Sequence, residues 1–157
     1  MIKLHPSAAD RWCACPASPY LESLCPPRPS GPDALLGTAA HALAQWLIDG
    51  RRDPDPELAG TLVVKMSENG RAFDVVPVDD SKTDLDIVVT DKMISDVSEY
   101  VALVNRLRIK YPDANVLTEH PVRYADGING RVDLLLYDDI TGHVFVVCEG
   151  KVGASPT

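Results

Sequence analysis

The stretch "GRVDLLLYDDITGHVFVVCEGK", residues 130–151, constrains the fold of this chain more than any other. Two apolar arms, "VDLLLY" and "HVFVVC", flank a "DDITG" turn, which is the pattern of a β-hairpin. Both arms are apolar on both faces, as expected of central strands covered by helices. Side chains on a strand alternate faces with period two, so Glu149 and Lys151 share a face and Gly150 points away. Pairing about a turn centred near Ile140–Thr141 places Asp133 opposite position 148 or 149. Asp133 and Glu149 then sit side by side at one end of the sheet.

Two carboxylates at the edge of a core repel unless a cation or a proton separates them. A hard divalent cation such as Mg²⁺ suits one or two protein carboxylates completed by waters and substrate phosphate. Lys151 beside them could orient a water nucleophile or stabilise charge developing on a phosphate. The same three residues also fit an ordinary cross-strand ion pair at a sheet end, and strand geometry alone leaves both readings open.

The rest of the chain is compatible with one domain spanning 1–157, a length sufficient for a sizeable core. Residues 1–35 are proline-rich and read as irregular, although "SPYLESL" fits about two helical turns. "PDALLGTAAHALAQWLIDGRRDP" reads as a helix, with Leu36, Ala40, Leu43, Leu47 and Ile48 at helical spacing. "TLVVKMSENGRAFDVVPV" reads as two short strands around an "ENG" turn. "TDKMISDVSEYVALVNRLRIKYP" is the clearest helix, with Thr90 as N-cap, an apolar stripe through Met93, Val97, Val101, Val104 and Leu107, and Pro112 closing it. "NVLTEHPVRY" and the hairpin complete the order. It predicts an α/β or α+β fold with a central mixed β-sheet flanked by helices.

Composition excludes some functions. No apolar run approaches the ~20 residues of a membrane span, and "MIKLHPSAADRW" lacks the apolar segment of a signal peptide, so a cytoplasmic protein is expected. Cys13, Cys15, Cys25 and Cys148 fit a reducing compartment with buried structural thiols. A net charge of −8 is not that of a typical nucleic-acid binder, but acids that hold a divalent cation tolerate such a balance because the ion supplies positive charge.

The hairpin resembles the core of the PD-(D/E)xK nuclease superfamily, in which a strand carrying Asp turns into a strand ending (D/E)-x-K. "GTAAHALAQWL" resembles the first helical motif of the RecB-type exonuclease branch, "SAADRWCACPAS" the opening of phage-encoded members, and "LTEHPVRYADGINGRVD" their acid-then-G-x-x-D stretch. Only about residues 51–86 look private to this chain, as a variable insertion. The resemblance implies a restriction-endonuclease-like core that hydrolyses DNA phosphodiesters with Mg²⁺ or Mn²⁺, as an exonuclease in phage or prophage DNA processing. Residue by residue, it makes His41, Asp133 and Glu149 metal ligands and Lys151 the catalytic lysine. Glu119 matches a family acid of less defined role. Gly37, one turn before His41, would let backbone approach sheet or substrate closely. Arg11, Arg123 and Arg131 are candidate phosphate contacts, with Arg51 and Arg52 further out, while Trp12 and Tyr20 are expected to pack the N-terminal segment onto the body, with base stacking as the alternative.

Two departures bear on activity. RecB-type members continue past the lysine into a helix carrying Gln and Tyr, whereas this sequence ends "VGASPT". The expectation is an active site without that supporting helix and a sheet face open to a second copy, or to a phage recombination or host protein. The cysteine spacing fits neither the iron–sulfur cluster of some relatives nor zinc, so neither is expected. The expected partner is DNA in a bacterial host cell, with no membrane; the alternative is an inactive nuclease-like module that binds DNA or a partner protein.

Overall fold

The computed structural model describes residues 9–26, 31–125 and 128–148. Two short helices, α1 (Ala9–Ala14) and α2 (Ser18–Ser23), open it; the described chain continues through a long helix α3 (Pro32–Asp49) and a 3₁₀ turn at Pro56–Leu58. Strands β1 (Leu62–Met66), β2 (Ala72–Pro77) and β3 (Ile87–Val88) precede helix α4 (Asp91–Lys110). Strands β4 (Asn115–Ala125), β5 (Ile128–Tyr137) and β6 (Val144–Cys148) close the order. The fold is α+β, as the sequence predicts.

The strands do not form one mixed sheet. Among the described residues they make two three-stranded sheets, ordered β2-β1-β3 and β4-β5-β6, and every pairing is antiparallel. The physical reason is where α4 leads. A parallel pair needs a crossover that returns the chain beside an earlier strand, but α4 packs on α3 and delivers the chain to β4, which pairs with β5. The stretch 51–86 supplies two of the first sheet's three strands, β1 and β2, and its Leu62, Val64, Met66 and Val75 belong to the common core.

That core is built on α3, which contacts β1, β2, β4 and α4. Ala39, Ala40, Leu43, Ala44, Leu47 and Ile48 are buried, and the three alanines let neighbouring elements approach closely. Leu36, expected on the same stripe, is instead 47% exposed in the helix's second turn. The α4 stripe forms as the periodicity predicts, with Met93, Ile94, Val97, Val101 and Val104 buried and Leu107 half-buried. Thr90 caps α4 by accepting a hydrogen bond from the Met93 amide at 3.2 Å. Leu134 and Leu136 of β5 have no exposed surface and join both helices in one cluster. Burying each such leucine stabilises the fold by about 1.5–3 kcal/mol.

Polar contacts tie the layers. The Tyr100 hydroxyl donates to the Asp133 carbonyl at 2.9 Å, pinning α4 to β5. Arg108 Nη2 donates to the Ile48 carbonyl at 2.9 Å, capping the end of α3 from α4. The Thr118 hydroxyl meets the Asp49 carboxylate at 3.1 Å, joining β4 to the same end of α3.

The hairpin turn forms as expected. Asp138 Oδ1 accepts from the amides of Ile140 and Thr141 at 2.7 and 3.2 Å, and Gly142 takes φ +66°. The second arm is not a covered central strand, however. β6 pairs only with β5 among the described residues, and Val144 and Phe145 are 50% and 38% exposed. Pro121 in β4 costs no ladder bond that matters, since β4 is also an edge. The thiols of Cys13, Cys15 and Cys25 are exposed, not buried, because α1 and α2 contact each other and α2 buries nothing. Cys148 lies on β6, its side chain outside what is described.

Candidate metal centre

Three residues far apart in sequence converge where α3 faces the second sheet. His41 comes from α3, Glu119 from β4 and Asp133 from β5. One ligand atom from each lies within 4.8 Å of the other two, and all three side chains are half-buried. They line a cavity of about 270 Å³ together with Thr38, Gln45 and Arg131. Thr38 and Gln45 stand one turn either side of His41, on the α3 face turned away from the helix's buried leucines.

The backbone sets this convergence. The β4–β5 ladder runs Thr118↔Leu134 and His120↔Val132, so Glu119 and Asp133 occupy the step between those pairs. Register is the same on both sides, yet Glu119 leaves extended geometry for φ +50°. A left-handed conformation costs a non-glycine residue about 1–2 kcal/mol and persists only where surrounding contacts hold it. Those contacts are two ion pairs. Glu119 Oε1 lies 3.2 Å from His41 Nδ1, and Oε2 lies 3.2 Å from Arg131 Nη1.

The electrostatics follow from that geometry. The hydrogen bond to Glu119 raises the His41 pKa, against partial burial, and the Asp133 charge raises it further. The same bond holds the Glu119 carboxyl below its usual value, with Arg131 adding to the effect. A proton on His41 and the Arg131 guanidinium together offset the charge of two neighbouring carboxylates. A divalent cation can take over that task. Two carboxylates and one imidazole, donors to a single point, form a set suited to Mg²⁺ or Mn²⁺, the imidazole favouring the softer Mn²⁺.

Of the sequence-predicted residues, His41 and Asp133 meet as expected, and Glu119 joins them as a full member. The described β5–β6 ladder ends at Leu134↔Cys148, one residue before the Asp133 position. Glu149 and Lys151 lie outside the described residues. Arg131 is at the site, but bonded to Glu119. Arg11 is elsewhere, paired with Glu22 at 2.9 Å across α1 and α2. Arg123 is exposed on β4. Gly37 does not mediate a close approach to the sheet: a Cβ added there meets nothing within 4 Å. Tyr20 is 54% exposed, so it does not pack the N-terminal segment onto the body; the Trp12 side chain lies outside what is described.

Sequence reasoning missed Trp46 and Phe73. They line a second cavity of about 320 Å³, which shares Ala42, Gln45 and Ala72 with the first. Helical spacing gave no signal for Trp46, which stands five residues after His41 and so about 140° around the helix.

The fold and site define an α+β domain carrying an imidazole–dicarboxylate cluster in an open cleft. The chain belongs to the family described as "Protein of unknown function (DUF2800)", which matches residues 2–152. No solved structure matches the chain. No helix among the described residues is long and apolar enough to cross a membrane.

Proposed function

We propose that this chain is a metal-dependent DNA nuclease of the PD-(D/E)xK superfamily, of RecB exonuclease type, acting in phage or prophage DNA processing. The observation that carries the reading is the convergence of His41, Glu119 and Asp133 at one point of the cleft. His41, Glu119 and Asp133 would hold Mg²⁺ or Mn²⁺, with Glu149 as a further carboxylate and Lys151 as the catalytic cation carried by the sequence motif. The ion, when bound, polarises the phosphate and lowers the pKa of a bound water. The protein's part is positional. His41 gives up its proton to expose Nδ1, Arg131 keeps Glu119 ionised and oriented, and the Tyr100 bond to the Asp133 carbonyl fixes the strand that carries the second acid.

The test is incubation of linear DNA with purified protein in Mg²⁺, Mn²⁺ or EDTA. The expected result is metal-dependent degradation that Asp133→Asn, Glu149→Ala and Lys151→Ala each abolish. No metal-dependent loss of DNA, or undiminished activity in these variants, would refute it. A second reading, a nuclease-like module that binds DNA or a partner without cutting, is favoured by one observation. Both Glu119 oxygens are already paired, so the cluster is electrostatically satisfied without an ion. DNA binding that is indifferent to EDTA, with no cleavage, would select it.

A further inference from the structure

The cleft does not end at the metal cluster. Through Ala42, Gln45 and Ala72 it runs into the groove between α3 and β2 that holds Trp46 and Phe73. Trp46 lies five residues beyond His41 on one helix, a rise of roughly 7.5 Å, or about two stacked nucleotides.

Two features of this groove are unusual for an ordinary protein surface. The β1–β2 register passes from Lys65↔Asp74 to Met66↔Ala72, which leaves Phe73 as the extra residue of a β-bulge. Bulges re-aim side chains and gather beside active sites; this one presents a phenylalanine 68% exposed to solvent. Opposite it, the Arg52 guanidinium lies 3.8 Å from the Trp46 ring centroid and donates to the Trp46 carbonyl at 3.2 Å. The groove therefore offers an exposed aromatic face and a cation fixed on a second ring, with the carboxylates of Asp49 and Asp74 also on its wall, continuous with a site whose chemistry suits a phosphodiester.

We infer that this groove is a stacking subsite for an unpaired nucleotide of the substrate strand, with Phe73 against the base and Arg52, held on the Trp46 ring, toward the backbone. The inference rests on the nuclease reading of the adjacent cluster, and it narrows the substrate to DNA with a single-stranded segment. The reason is geometric. Bases inside a duplex have both faces covered by their neighbours, whereas a free base can lie on an aromatic side chain. A groove of about 320 Å³ has room for a nucleotide.

Fluorescence anisotropy with a labelled single-stranded oligonucleotide and a blunt duplex of the same sequence, in EDTA, separates binding from cutting. Wild-type protein is expected to prefer the single strand. Phe73→Ala, at a site exposed enough to leave folding intact, should weaken single-strand binding about tenfold, and Phe73→Trp should restore it. Asp133→Asn is expected to keep the preference while losing cleavage, so that failure of catalysis and failure of the subsite are read separately. Unchanged single-strand affinity in Phe73→Ala, equal affinity for the blunt duplex, or no binding of either oligonucleotide would overturn the inference.

Discussion

If His41 is a metal ligand, as proposed, proton and metal compete for it, and the competition has a defined pH signature. The His41 pKa is raised above its ordinary value of about 6.5 by the bond to Glu119. The bond's contribution to stability is thus complete below about pH 6.5 and is lost as pH rises through the raised folded value. Glu119 is lowered, so its contribution is present above about pH 4.3 and is lost as pH falls through the lowered folded value. The metal-free protein gains most from the pair between about pH 4.3 and 6.5. Partial solvent access reduces a charge-assisted bond of this kind to about 1 kcal/mol, or about 2–4 °C of melting temperature at this length.

Metal binding runs the other way. Nδ1 must be unprotonated to serve as a ligand, so each pH unit below the folded His41 pKa lowers apparent affinity about tenfold, or ~1.4 kcal/mol. Mn²⁺ at a hundred times its dissociation constant stabilises by about 2.7 kcal/mol, some 5–10 °C, and a drop of two pH units removes most of that. Thermal denaturation from pH 5.5 to 8.0, with and without Mn²⁺, measures both limbs. The expected outcome is a metal-induced shift that grows with pH in the wild type and is absent in His41→Gln. A shift independent of pH, or one kept in full by His41→Gln, would refute the assignment of His41 as a ligand.

Four further outcomes follow from the same structure. Glu119→Gly relieves the strain at φ +50° but loses two ion pairs, so the metal-free melting temperature should move by no more than about 2–4 °C while the Mn²⁺ shift disappears. Tyr100→Phe removes the bond to the Asp133 carbonyl and should cost about 1 kcal/mol by urea denaturation, leaving the slope unchanged. Leu43→Ala empties a fully buried position on α3 and should cost about 2–5 kcal/mol in the same assay. Asp86 accepts from the Thr83 and Met66 amides at 2.8 and 3.1 Å and from Lys65 Nζ at 3.0 Å, and these bonds, the Thr83 amide foremost, hold its carboxyl well below the usual range. Its stabilisation is present above about pH 3.9 and is lost as pH falls toward the lowered folded value; Asp86→Asn should therefore lower stability at pH 7 and flatten the acid limb of the stability curve.

How far the sequence foretold this site depends on what kind of information each residue carries. Asp133 was legible because the hairpin turn sets its pairing, whereas periodicity gave only the helix that carries His41, and the histidine itself stood out through the resemblance of "GTAAHALAQWL" to a nuclease motif. The described ladder, Leu134↔Cys148 through Leu136↔Val146, keeps the register read from the turn. Glu119 was only half legible. Its strand was plain, but its reach toward His41 depends on a left-handed backbone that no pattern of apolar residues encodes. Phe73 was hidden for a related reason, since a bulge is visible only once both strands are paired. The division into two sheets escaped because a strand pattern reports burial and not partner: β4 and β5 pair locally, two residues apart in the chain, and neither joins β1–β3. The hidden features are thus local departures from regular geometry, and both departures face one continuous cleft. Regular elements bring His41 and Asp133 together approximately, and the irregular residues Glu119 and Phe73 give that cleft its second carboxylate and its aromatic face.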